Sequence, residues 1–193
     1  MKDVEYNNTV NITSNYFESL SAVAKNIDFN ILNEIVNVLV KCIEDKNTIY
    51  TIGNGGSSAN ASHAVIDLIK LGHSLNSKIK VFCLSDNTPS ITAIANDLSY
   101  DQIFSFQIGQ FVIKNDLLII FSGSGNSQNI LHAVEAAKVN GAIVICFSGF
   151  DGGKLSKIVD YNMHVPINDM QIVEDIHMSI IHIIYKILLQ NGC

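Results

Sequence analysis

Hydrophobic residues recur along this chain with two spacings that alternate from one segment to the next. Apolar residues three or four positions apart predict helices, whereas short β-branched runs that end in glycine or polar residues predict buried strands. The helical spacing begins at Tyr16, and Asp28 or Asn30 can cap the second of two N-terminal helices. Later helices are predicted at 57–71, 90–95, 102–112, 128–139 and 170–189. Strands are predicted at 48–52, 79–84, 116–121, 142–147 and 161–165.

This order of elements predicts a parallel sheet, because successive parallel strands need a crossover connection, usually a helix. We therefore expect an α/β fold in which a doubly wound sheet of about five strands carries helices on both faces. The chain has only two prolines and shows no linker-like segment. Residues 1–193 are predicted to form a single domain, with residues 1–45 as a helical N-terminal extension.

The N-terminal extension also predicts oligomerisation. Its two helices carry more apolar surface than one face of a sheet requires, so a partner subunit is expected to cover it. The residues of these apolar faces are Phe17, Leu20, Val23, Ile31, Ile35 and Val38.

Composition excludes several classes of partner. Twelve Lys and Arg residues stand against 18 Asp and Glu, with a net charge of -6 and no basic run, so neither nucleic acid nor an anionic membrane is expected as a partner. The most apolar stretch, 178–189, is too short to span a bilayer, and Met1–Val10 lacks the apolar core of a secretion signal. No Cys-x-x-Cys spacing occurs, which predicts reduced thiols in the cytoplasm. The cysteines are Cys42, Cys83, Cys146 and Cys193.

Two predicted strands end in small, hydroxyl-rich loops that lead into helices, at 53–58 and 122–127. Ligands of parallel sheets bind at the carboxyl ends of the strands, where a helix N-terminus offers free N–H groups. Together the loops predict binding of a phosphate monoester, although either loop alone is also compatible with an ordinary glycine-rich turn. Neither loop has a dinucleotide or P-loop pattern, so no nucleotide cofactor is expected. Nearby, Asn96 and Asp97 serve either as a helix C-cap or as acceptors for substrate hydroxyls.

Carboxylates and histidines recur on two predicted helices. His63 and Asp67 are four residues apart and share a helix face, as do Glu174 and His182, which are two turns apart. Such a set can ligate a divalent metal, or it can move protons between adjacent carbons of a sugar. His182 also lies in an apolar run, where a histidine is commonly structural.

Five motifs follow one another between residues 53 and 177. They are Gly53-Asn54-Gly55-Gly56-Ser57, Ala93-Ile94-Ala95-Asn96-Asp97, Ser122-Gly123-Ser124-Gly125-Asn126-Ser127, Gly149-Phe150-Asp151-Gly152-Gly153 and Glu174-Asp175-Ile176-His177. In this order they make the chain resemble the sugar isomerase (SIS) domain superfamily and, within it, the phosphoheptose isomerase family. The resemblance extends from about residue 16 to residue 189.

The resemblance implies a flavodoxin-like three-layer α/β/α sandwich and a homotetramer whose active sites are shared between subunits. The implied enzyme is an aldose–ketose isomerase that converts sedoheptulose 7-phosphate to glycero-manno-heptose 7-phosphate. That reaction feeds the synthesis of nucleotide-activated heptose for surface polysaccharide (lipopolysaccharide or capsule).

Site roles follow from the same resemblance. It places the phosphate on the serines of the two loops and a metal ion, Zn²⁺ or another divalent cation, on four side chains. It makes Asp67 or Glu174 the catalytic base and His182 its partner. The implied metal ligands are His63, Asp67, Glu174 and His182. The implied substrate contacts are Asn54, Gly55, Gly56, Ser57, Asn96, Asp97, Ser122, Gly123, Ser124, Ser127 and Glu174.

Four positions depart from the family pattern. Asp67 replaces a glutamate, Glu174 a glutamine, Leu71 an arginine and Gly123 a threonine. These departures leave two alternatives open, an isomerase of another phosphosugar and a non-catalytic phosphosugar-binding regulator or partner-binding SIS protein. The carboxylate at position 67 and the two histidines favour an enzyme.

Overall fold

The computed structural model describes residues 6–192, over which it contains five strands and seven α-helices. The strands are β1 (Thr48–Gly53), β2 (Lys80–Cys83), β3 (Leu117–Ser122), β4 (Ile143–Ser148) and β5 (Tyr161–His164). The helices are α1 (Tyr6–Ala24), α2 (Phe29–Glu44), α3 (Gly56–Ser74), α4 (Thr88–Asp97), α5 (Ser105–Phe111), α6 (Gln128–Val139) and α7 (Met170–Asn191). Single 3₁₀ turns lie at Tyr100–Gln102 and Leu155–Lys157.

The strands form one sheet in the order β2-β1-β3-β4-β5, and every neighbouring pair is parallel. Because the strands are parallel, all their carboxyl ends lie at one edge, where the two glycine- and serine-rich loops follow β1 and β3. The predicted α/β fold is confirmed. Within residues 6–192, no helix is both long enough and apolar enough to cross a membrane.

Side chains of the central strand alternate between the two helical layers, as the period of a β-strand requires. Leu117, Ile119 and Phe121 pack under α2, α3 and α7. Leu118 and Ile120 pack under α4, α5 and α6. The sheet is therefore the middle layer of an α/β/α sandwich, and α3 and α7 lie together on one of its faces.

Two boundary predictions were wrong. Helix α1 begins at Tyr6, ten residues before the predicted start, and it contains no buried residue; its first half is too polar to show an apolar face. The predicted helix at 102–112 is a 3₁₀ turn followed by the shorter α5. Of the two predicted caps for α2, it is Asp28 that accepts the N–H groups of Asn30 and Ile31.

The apolar face of α2 belongs to the core of the chain itself. Ile35 is fully buried, and Val38 is partly buried against the same core cluster. Helix α1, by contrast, leaves Tyr6, Ile12 and Phe17 more than half exposed. Most of the exposed apolar surface of these two helices is thus on α1, although Phe29 at the start of α2 is also exposed. Cys42, Cys83 and Cys146 are free thiols, and Cys193 and residues 1–5 of the predicted extension lie outside the described residues.

Candidate active site

A cleft of about 270 Å³ opens at the carboxyl ends of β1 and β3. Its wall combines the loop after β1, the loop after β3 and the first turns of α7. Nine of the predicted substrate-binding residues line it, together with Met170. The lining residues are Asn54, Gly55, Gly56, Ser57, Ser122, Gly123, Ser124, Ser127, Met170 and Glu174.

Asn96 and Asp97 do not line this cleft. They lie exposed in the last turn of α4, where the side-chain N–H of Asn96 donates to the carboxylate of Asp97 at 2.9 Å. The C-cap of α4 is Leu98, so the prediction that Asn96 or Asp97 caps this helix was wrong, and their contact with substrate hydroxyls stays a prediction.

The loop after β3 is held by its own backbone and serines. Gly125 has a φ of +62°, which a residue with a side chain rarely adopts, and its N–H donates to the hydroxyl of Ser122 at 3.2 Å. Ser127 then begins α6 without capping it through its own side chain. Because Ser127 lines the cleft, the N-terminus of that 12-residue helix and the positive end of its dipole lie at the cleft, an arrangement that favours phosphate binding.

The carboxylate of Glu174 lies at the N-terminus of α3. It accepts the backbone N–H of Ser57, and a Cβ atom at Gly56 would overlap it. Burial and the neighbouring Asp175 raise the pKa of Glu174, while the bond from Ser57 lowers it. Only a glycine at position 56 therefore leaves room for the Glu174 carboxylate at this end of the cleft.

His63, Asp67 and His182 converge from α3 and α7. The Nε2 atoms of the two histidines are 3.0 Å apart, and they lie 3.3 and 3.7 Å from Oδ2 of Asp67. The other oxygen of Asp67 faces Lys70 at 3.6 Å. One ligand atom from each of the three residues lies within 4.8 Å of the others.

This group fits a divalent metal by its chemistry, since two imidazole nitrogens and one carboxylate oxygen are ligands that Zn²⁺ takes in proteins. Asp67 is buried, so its carboxylate is held in place by its surroundings. Glu174, the fourth predicted ligand, is not part of the converging group; its carboxylate is bonded to Ser57 instead. The structure thus brings together three of the four predicted ligands.

Sequence reasoning left the role of His177 open. Its ring is completely buried against the stacked rings of Phe121 and Phe147, and Nε2 donates to the carbonyl of Ser148 at 3.2 Å. Burial lowers the pKa of this imidazole to about 4, although the bond to Ser148 raises it in part. Nδ1 has no hydrogen-bond partner among the described residues. His177 is therefore a neutral group that ties α7 to the end of β4.

Three residues near the cleft were missed by sequence reasoning. Met170 packs against Gly123, and Asn129 and Tyr100 hydrogen-bond to Asn54. None of them belongs to a local pattern of glycine, serine or paired charges. Only the three-dimensional contacts identify them.

Known proteins resemble this chain over most of its length. The profile of the SIS domain family matches residues 15–149. A phosphoheptose isomerase of Helicobacter pylori is 36% identical over 149 residues, covering 77% of this chain and 78% of that protein. A phosphoheptose isomerase of Aliarcobacter butzleri is 34% identical over 157 residues, covering 81% of this chain and 83% of that protein.

The fold agrees with the sequence comparison. The structure of a phosphoheptose isomerase from Neisseria gonorrhoeae superposes with a TM-score of 0.86 at 27% identity, covering 93% of this chain and 97% of that one. The profile match spans more than half of the chain, and the curated relatives exceed 30% identity. The chain therefore belongs to the SIS domain family and, within it, to the phosphoheptose isomerases.

Proposed function

We propose that this chain is an aldose–ketose isomerase that interconverts sedoheptulose 7-phosphate and glycero-manno-heptose 7-phosphate. The observation that carries the proposal is that α3 and α7 each contribute a residue to the cleft and, farther along the helix, a residue to the group of His63, Asp67 and His182. Ser57 begins α3 in the anion-binding cleft and Asp67 lies farther along it. Glu174 and His182 occupy corresponding places on α7. In this proposal one phosphorylated sugar places its phosphate at the loops and its carbon chain at Asp67 and His182.

The phosphate is bound by neutral donors. The hydroxyls of Ser57, Ser122, Ser124 and Ser127 and the N–H groups at the start of α6 converge on one cleft. Its lining residues include no Lys or Arg. Helix N-termini and serine hydroxyls stabilise a phosphate dianion without a cationic side chain. This agrees with the negative net charge of the chain.

Isomerisation moves one proton between two adjacent carbons. A base removes the proton from the hydroxyl-bearing carbon next to the carbonyl while an acid protonates the carbonyl oxygen, which forms an enediol. The second hydroxyl then loses its proton, and the former carbonyl carbon gains one. Asp67 takes the role of base and His182 that of acid, because they approach the same space from two helices. Glu174, whose pKa is raised, is the alternative base.

His63, Asp67 and His182 would hold a divalent cation such as Zn²⁺. When bound, the cation supplies Lewis-acid polarisation of substrate oxygens. Asp67 places its second oxygen toward Lys70, so only one oxygen faces the histidines and it serves either as a metal ligand or as the base. With the cation bound, Glu174 is the base.

The proposal includes a cytoplasmic homotetramer in the pathway to nucleotide-activated heptose and surface polysaccharide. The exposed apolar residues of α1 support the assembly, because a lone chain leaves Tyr6, Ile12 and Phe17 in water. Size-exclusion chromatography with light scattering tests it. A monomer would overturn the oligomer and leave any shared site incomplete.

Turnover of sedoheptulose 7-phosphate, followed by NMR, tests the reaction. The protein is assayed as purified, after chelation and after addition of zinc, with its metal content measured each time. Product that disappears on chelation and returns with zinc supports the isomerase and its metal. Product that survives chelation supports the isomerase alone.

A panel of hexose and pentose phosphates distinguishes the heptose reaction from its nearest alternative. Gly123 and Met170 change the wall of the cleft where the family has a threonine, which favours another phosphosugar as the second candidate. Turnover of a panel member without turnover of the heptose would move the assignment to that sugar. Binding of phosphosugars without any turnover would identify a regulator.

A further inference from the structure

The side-chain amides of Asn54 and Asn129 form a closed hydrogen-bonded pair. Nδ2 of Asn54 donates to Oδ1 of Asn129 at 2.9 Å, and Nδ2 of Asn129 donates to Oδ1 of Asn54 at the same distance. The two residues are 75 positions apart and belong to different segments, the loop after β1 and the first turn of α6. The pair thus joins the two loops that form the cleft.

A third hydrogen bond is made to the side-chain oxygen of Asn54. The hydroxyl of Tyr100 donates to Oδ1 of Asn54 at 3.0 Å. A carboxamide oxygen accepts two hydrogen bonds and its nitrogen donates two. Both acceptor positions of Asn54 are therefore occupied by Tyr100 and Asn129, whereas one of its two N–H groups is not used by this network.

Asn129 differs from Asn54 in its exposure. Asn54 lines the cleft, whereas Asn129 is 1% exposed and does not line it. The side chain of Asn129 can therefore act on a ligand only through Asn54. Without its partner, the carboxamide of Asn54 could turn and present its oxygen to the cleft instead of its N–H.

We propose that Asn129 is a positioning residue that holds the carboxamide of Asn54 so that it offers the bound sugar a hydrogen-bond donor and no acceptor. The inference rests on the proposed function, which supplies the sugar phosphate as ligand. A donor facing the ligand suits the oxygen atoms of a sugar phosphate, which are hydrogen-bond acceptors, and a fixed donor stabilises negative charge on them.

The variant Asn129→Asp tests the pairing with almost no change of shape. At neutral pH its carboxylate accepts from Asn54 but donates nothing to the oxygen of Asn54. We expect KM for the sugar phosphate to rise about tenfold, the loss of one good hydrogen bond. The new carboxylate also places a charge in the first turn of α6, beside the proposed phosphate site, so the uncharged variant Asn129→Leu is measured in parallel. In Asn129→Leu, KM for the sugar phosphate should rise similarly while competitive inhibition by inorganic phosphate does not change, because the serine loops remain intact. Asn140→Ala is the matched control, since Asn140 ends the same helix and bonds the carbonyl of Ile108 away from the cleft.

A double-mutant cycle separates positioning from a merely structural role. Asn54→Ala should raise KM as much as Asn129→Asp, and the combined variant should be no worse than Asn54→Ala alone, because both changes remove one interaction. Additive effects, an unchanged KM in Asn129→Asp, or an equal loss of inorganic phosphate affinity in the uncharged Asn129→Leu would overturn the inference.

Hydrogen exchange of the Asn54 side-chain amide, followed by NMR, makes the result independent of turnover. Asn129→Asp should speed this exchange and Asn140→Ala should not. Wild-type protein that neither binds nor converts any sugar phosphate would refute the proposed function, while slow exchange that Asn129→Asp does not alter would refute the pairing. The two failures are therefore distinguishable.

Discussion

Nε2 of His63 and Nε2 of His182 lie 3.0 Å apart, although 119 positions separate the two residues. Packing of α3 against α7 brings them together, and the side chain of Asn60 ties the helices by donating to the carbonyl of Glu174 at 2.9 Å. Two imidazole nitrogens at this distance cannot both carry a proton toward each other. They share one proton or are bridged by a cation, and the carboxylate of Asp67 stabilises either arrangement.

Loss of either histidine should abolish stoichiometric zinc binding. Two ligand atoms would remain from the group of three, fewer than a protein zinc site uses. The measurement is metal content by mass spectrometry after dialysis against a zinc buffer, for His63→Ala and His182→Ala. His73→Ala is the control, because His73 is exposed on the same helix α3. Full zinc occupancy in both cluster variants would contradict the site.

Replacing the Asp67 carboxylate should remove turnover while phosphate binding remains. A positioned base contributes about 10²-fold to 10⁴-fold, so Asp67→Asn should lower kcat by at least about 10²-fold. Lys70→Gln is the control, since it breaks only the ion pair at 3.6 Å on an exposed side chain, which is worth about 1 kcal/mol or less. Steady-state assays and inhibition by inorganic phosphate are measured for both variants. Wild-type kcat in Asp67→Asn would transfer the role of base to Glu174.

The fold and the two glycine- and serine-rich loops could be predicted because their signals are local. Segments 48–58 and 117–128 each show a buried strand, then glycine and serine, then the start of a helix. The parallel sheet brings both loops to one edge. Helix α1 begins earlier than expected because its first half is polar, whereas Leu20 and Val23 in its second half pack against the core. Tyr16 in addition donates to Asp175 at 2.6 Å, a contact across 159 positions that no periodicity reveals.

The finer parts of the site depend on contacts between distant segments. The spacing of His63 and Asp67 predicts a shared helix face, but only the packing of α3 on α7 adds His182. The same spacing argument placed Glu174 with the metal ligands, whereas its carboxylate takes the N–H of Ser57. The rotamer of a glutamate determines which neighbouring group its carboxylate contacts, and sequence spacing does not determine the rotamer.

The buried imidazole of His177 should make the protein less stable in mild acid. Its pKa is lowered to about 4 in the folded chain, against a model-peptide value of 6.5 for the unfolded chain. Between these values the unfolded chain binds more protons, so the free energy of unfolding falls as pH decreases from 6.5 to 4. A shift of this size corresponds to about 3 kcal/mol.

Urea unfolding at several pH values checks this contribution. His177→Phe should have a flatter dependence of the free energy of unfolding on pH over that window, whatever its absolute stability. Phe147→Leu is the control, because it alters the same cluster without changing any titratable group and should keep the wild-type slope. Identical slopes in wild type and His177→Phe would show that another group is responsible.

The contact between Gly123 and Met170 predicts a non-additive pair of substitutions. A Cβ atom at Gly123 would lie 2.5 Å from Sδ and 3.0 Å from Cε of Met170. The methionine side chain is flexible, so Gly123→Ala should displace it toward the cleft that it lines. We expect KM for the sugar phosphate to rise and the free energy of unfolding to fall by about 1 kcal/mol.

Removing the methionine side chain should remove this conflict. In Gly123→Ala combined with Met170→Ala, the added methyl has room, so KM should return to that of Met170→Ala alone. Kinetics of the four proteins form a cycle whose coupling free energy isolates the contact. If Gly123→Ala raises KM equally with and without Met170, the loss arises in the loop backbone. Met170 would then have no part in shaping the phosphate end of the cleft.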